Sequence, residues 1–127
     1  IQKDAAAISS GLYDDMMGYW LDQRYGDALF TIGSFAYRGR INYGGIQDLV
    51  TTQDNCLAAI LYHGRKKYFF LDFSRQPPED GNGWMRRLIA QQYIHGSVGS
   101  FYISYIPADQ YDAVLFFDTV SQPEFLR

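Results

Sequence analysis

A chain of 127 residues that is 47% hydrophobic is long enough to build one domain around a real core and too short to suggest two. Its formal net charge of −3 gives no global electrostatic case for nucleic acid, and one cysteine excludes an internal disulfide or a zinc site built on two thiolates. No run is long enough to cross a bilayer, no signal peptide is present, and no P-loop or GxGxxG stretch points to a cofactor. The chain opens at Ile1 without methionine and stops at Arg127 just after a predicted strand, as an excised piece of a longer protein would.

In chain order, Ile1, Ala5, Ile8, Leu12, Met16 and Tyr19 recur in steps of three and four and predict an N-terminal helix over 1–22. From Tyr25 to Val50 the apolar residues fit a strand and a short amphipathic helix equally, interrupted at Gly39 and Gly44-Gly45. The centre of the chain is CLAAILYHGRKKYFFLDFS, residues 56–74, which reads as a buried β-hairpin. Leu57 to Tyr62 form one apolar run, His63 to Lys66 form a polar turn containing a glycine, and Tyr68 to Phe73 form an aromatic strand. Arg75 to Gly83 is loop-like in composition. Met85, Leu88 and Ile89 then line one face of a second helix over 84–95, with Gly96 as its C-terminal cap. A second hairpin over 101–120 turns at Pro107-Ala108-Asp109-Gln110. The sum predicts an α+β single domain over 1–127: a long N-terminal helix, then an antiparallel sheet of four to five strands in hairpin–helix–hairpin order.

Several residues could carry chemistry. Cys56, with Gln53 upstream and His63 or His95 as base, has the outline of a papain-like cysteine hydrolase, although a nucleophilic cysteine usually begins a helix and the residues after Cys56 read as a strand. A small buried hydrophobe at a strand start is the simpler account of it. Two histidines without HxH or HExxH spacing do not make a metal site. Asp72 lies among aromatic residues, and a buried carboxylate requires a partner such as Arg86 or Arg87 or a ligand's amine, while a place at the strand end facing water accounts for it equally well. Arg86, Tyr93, Tyr102 and Tyr105 would gather if the second helix crosses the sheet. Aromatic walls with a guanidinium suit a small carboxylate or amphiphile, and ordinary packing accounts for the same residues.

Leu57-Ala58-Ala59-Ile60-Leu61-Tyr62, the turn at Gly64, Tyr68-Phe69-Phe70 and the order continuing through Tyr111 to Phe117 resemble extracytoplasmic PAS-like sensor domains of the Cache and CHASE types. That resemblance implies a non-enzymatic sensor of a membrane signalling protein on the periplasmic or extracellular face of a bacterial membrane. It would be a homodimer tethered through flanking segments, without a cofactor. A small-molecule or protein ligand would sit between sheet and second helix, with Arg86 and Tyr93 above and Asp72 and Tyr102 below, shifting a population between two helix arrangements. Two rivals are a dimeric, cytoplasmic secretion chaperone-like adaptor, which would expose an apolar patch, and the cysteine hydrolase, which requires an accessible Cys56 beside a histidine.

Overall fold

The computed structural model describes residues 17–42, 45–51, 53–76, 81–95 and 99–121. Its regular elements are α1 (Met17–Tyr25), β1 (Ile32–Asn42), β2 (Ile46–Val50), α2 (Leu57–Tyr62), β3 (Tyr68–Asp72), β4 (Ile89–His95), β5 (Gly99–Tyr105), α3 (Pro107–Gln110) and β6 (Ala113–Val120), with short 3-10 turns at 26–28, 73–75 and 82–86. The fold is α+β. Four strands form a mixed sheet in the order β2-β1-β6-β3, and β4 and β5 form a separate antiparallel ribbon.

β6 is central because both of its faces are apolar: Val114 and Phe116 point to one side, Leu115 and Phe117 to the other. It pairs parallel with β1, Phe35 opposite Phe116, and antiparallel with β3, Phe69 opposite Phe116. On that side lies the main core, where Phe35, Phe116, Leu57, Leu61, Met85 and Tyr105 meet. Burying an aromatic or leucine side chain there contributes about 1.5–3 kcal/mol each. Helix α2 closes this side, touching β1, β4 and β6.

Several expectations are corrected. Leu57 to Tyr62 is a helix and not the first strand of a hairpin. Leu and Ala are strong helix formers, and an apolar run buried all round has no periodicity to separate helix from strand. The second predicted helix is a 3-10 turn over 82–86 followed by strand β4. Residues 89–95 include the strand formers Ile89, Tyr93 and Ile94, and their backbone groups are satisfied by pairing with β5, Ala90 opposite Ser104. The second hairpin does not form: β5 pairs with β4, β6 with β1 and β3, and the intended turn is α3, with Pro107 at its first position. The sheet is mixed and not the antiparallel sheet expected. The ambiguous stretch resolves as a β1–β2 hairpin, Arg40 opposite Asp48. Of the predicted N-terminal helix, residues 17–22 fall within α1 and the remainder lies outside the described residues.

Candidate functional site

Of the residues nominated from sequence, Asp72, Arg86, Tyr102 and Tyr105 do not converge. Asp72 ends β3, where its Oδ1 accepts hydrogen bonds from the Ser74 backbone N–H (2.9 Å) and hydroxyl (2.6 Å) while Oδ2 lies 3.3 Å from Arg75 Nε. Its partners are therefore local, and the Ser74 hydrogen bonds, helped by the Arg75 charge, hold its carboxyl below the ordinary carboxylate range. Arg86 and Arg87 are exposed at the end of the 3-10 turn and are not ion-paired to Asp72. Tyr102 and Tyr105 lie three apart on β5 and so face opposite ways. Tyr105 is fully buried in the main core, its ring 6.0 Å from that of Tyr111, and Tyr102 packs on the small cluster of Cys56, Ala58, Ala59 and Ala90. Tyr93 stands in β4 opposite Phe101.

A different set does converge, at the end of α2. The helix closes with the Gly64 N–H on the Leu61 carbonyl and the Arg65 N–H on the Tyr62 carbonyl. Arg65 itself takes a left-handed backbone, φ 51°, which is uncommon for a residue with a long side chain. The turn carries His63, Arg65, Lys66 and Lys67 in succession, and the Lys67 carbonyl is fixed by the Asp118 N–H at 2.8 Å. From β1, Tyr37 stacks flat on Tyr62, centroids 4.0 Å apart and planes 5° apart. Arg38 lies 5.9 Å over the Tyr62 ring, donates to Thr119 Oγ1 at 3.3 Å and reaches the Asp118 carboxylate at 3.2–3.3 Å.

These groups border a cleft of about 460 Å³ lined by Tyr62, His63, Arg65, Lys66, Lys67 and Asp118. It adjoins a recess of about 420 Å³ lined by Lys67, Tyr68, Phe117, Asp118 and Thr119. The sequence shows a polar turn at 63–66 but does not bring Arg38, Asp118 and Thr119 to it. The signal available was a basic triplet in an acidic chain directly before an aromatic strand. Such a cleft can hold and orient an anion; it presents no activated nucleophile.

The cysteine–histidine arrangement is not assembled. Cys56 is fully buried immediately before α2, and loss of water pushes its thiol pKa up. His63 stands at the other end of that helix, about 10 Å away at 1.5 Å per residue. Cys56 bridges Ala90 in β4, and His95 lies about 17 Å further along that strand. Among the described residues no group of three or more His, Cys, Asp or Glu is placed to hold a metal ion.

No functionally curated protein matches this sequence. Two solved structures share its fold. One is a succinoglycan biosynthesis protein, 22% identical with TM-score 0.74 over 90% of this chain and 30% of that one. The other is a Bacillus cereus protein, 18% identical with TM-score 0.69 over 82% of this chain and 28% of that one. This chain thus spans under a third of the length of either. A family model described as Erythromycin esterase matches residues 1–120. That match, with the two folds, overturns the expected membership among PAS-like sensor domains, and it equally overturns the expectation of a non-enzyme.

Proposed function

The chain belongs to the erythromycin esterase family, and from that premise we propose that it forms part of an ester hydrolase whose catalytic groups lie outside the described residues. The observation that carries this reading is the family match over residues 1–120. Ester hydrolysis needs a base to activate water or a nucleophile, and donors aimed at the oxygen that becomes anionic. In the described part, the buried thiol and the histidines stand too far apart for such a relay. This part instead supplies a sheet scaffold and the aromatic, cationic cleft at residues 62–67. The sensor reading rested on the family resemblance and loses that support.

The test is hydrolysis of erythromycin, followed as the gain of one water by mass spectrometry, in the natural full-length protein and in its Cys56→Ala and His63→Ala variants. Turnover is expected in all three, with the variants within about twofold of the parent. Loss of turnover in either variant with the fold intact would place catalysis in this segment. Absence of hydrolysis by the parent, of erythromycin and of simple nitrophenyl esters alike, would overturn the hydrolase reading.

A further inference from the structure

The cationic cleft is unusual for this chain. Its formal charge is −3 with only 11 Lys and Arg in 127 residues, yet Arg65, Lys66 and Lys67 line one cavity together, and Arg38 pairs with the Asp118 of its wall. Arg38 is occupied by Asp118, the single carboxylate of the lining, and by Thr119. Among the described residues no carboxylate pairs with Arg65, Lys66 or Lys67. Three like charges held within one turn raise one another's energy, and a bound anion relieves that repulsion. The backbone on either side is anchored, by the close of α2 and by the Lys67–Asp118 hydrogen bond, so the charges are presented together.

The rest of the lining is aromatic. Tyr62 is braced by Tyr37, and beyond Lys67 the recess offers Tyr68 and Phe117. The geometry points to a binding site for a small organic oxyanion, a phosphate monoester or carboxylate, whose charged group meets Arg65, Lys66 and Lys67 and whose ring lies along Tyr68 and Phe117. This site is independent of the hydrolase reading, because binding is measured without turnover.

Three probes separate its parts: phenyl phosphate carries anion and ring, inorganic phosphate the anion alone, and phenol the ring alone; benzoate tests the carboxylate source. Titrations at low salt, by calorimetry and by amide shifts in a nitrogen-edited NMR spectrum, are expected to show saturable binding of phenyl phosphate. It should bind about tenfold more tightly than inorganic phosphate, with shifts centred on residues 62–68 and 117–119 and affinity falling as salt is raised. Phenol is expected not to saturate. Lys66→Gln with Lys67→Gln should weaken phenyl phosphate at least about tenfold, whereas Tyr68→Ala should remove its advantage over inorganic phosphate. All three side chains are exposed, so the variants keep the fold, as circular dichroism would verify. No saturable binding of any of the anions, or binding that survives the double lysine variant unchanged, overturns the proposal.

Discussion

Gly39 and Gly45 both hold a positive φ, 140° and 131°, but only one is hemmed in. A β-carbon on Gly39 would fall 2.0 Å from the Val120 carbonyl oxygen, since Gly39 is paired with Val120 across the parallel β1–β6 junction. A β-carbon on Gly45 would meet nothing within 4 Å. Gly39→Ala is therefore expected to destabilise the fold by at least about 2 kcal/mol, combining backbone strain with a clash against main chain, and Gly45→Ala by about 1 kcal/mol from strain alone. Denaturant midpoints of the two variants measure this difference, and equal losses would mean that β1 does not approach β6 as described. At this scale the sequence was partly legible. Gly45 was recognisable as a break, and Cys56 as a small buried hydrophobe, because the residue types themselves carry that information, whereas Gly39 lies inside β1 and does not interrupt it. The partner of Asp72 was not: Ser74, two positions away, satisfied it before any distant arginine could.

That same carboxylate joins two elements, ending β3 and capping the 3-10 turn at 73–75. Its native pKa is depressed, so the sign of its contribution follows from linkage. The stabilisation is fully present above the unfolded carboxyl value of about 3.9, and it is lost as pH falls through the lower native value. Asp72→Ala is accordingly expected to melt below the parent at neutral pH, with the gap closing as both proteins are acidified below about pH 4. A gap that persists unchanged in acid would assign the loss to packing instead. Among the elements, β3 and β6 lie inside the predicted strands because aromatic and β-branched residues flanked by turn residues leave little choice. Leu57 to Tyr62 and Ile89 to His95 were exchanged, helix for strand and strand for helix. The first has no polar face to reveal a period, and the second carries apolar residues at 89, 90, 93 and 94, a helical spacing that its pairing with β5 overrides.

Across the whole molecule, the mixed sheet is covered on one side only by the described residues. Ile32, Leu115, Phe117, Tyr68 and Phe70 share the opposite side by register, and Ile32, Tyr68 and Phe70 are 48%, 72% and 53% exposed. The isolated 127-residue chain is expected to bind an environment-sensitive apolar dye at this face, and Tyr68→Ser with Phe70→Ser to remove more than half of the signal, since both side chains are more than half exposed. An unchanged signal would mean the dye sites lie elsewhere.

What the sequence determined by itself was local: an α+β composition, the strands at 68–72 and 113–120, a polar turn after Tyr62 and a small buried cysteine. Each follows from residue type and near-neighbour spacing. The tertiary structure alone decided that β1 lies parallel to β6, 81 positions away in the Ile32–Ala113 pair, and that the basic turn meets Arg38, Tyr37 and Asp118. The backbone edge of a strand offers the same donors and acceptors whatever its side chains. Which edges meet is therefore settled by how the whole chain buries its apolar faces, and the cleft exists only where that settlement brings β1, α2 and β6 together.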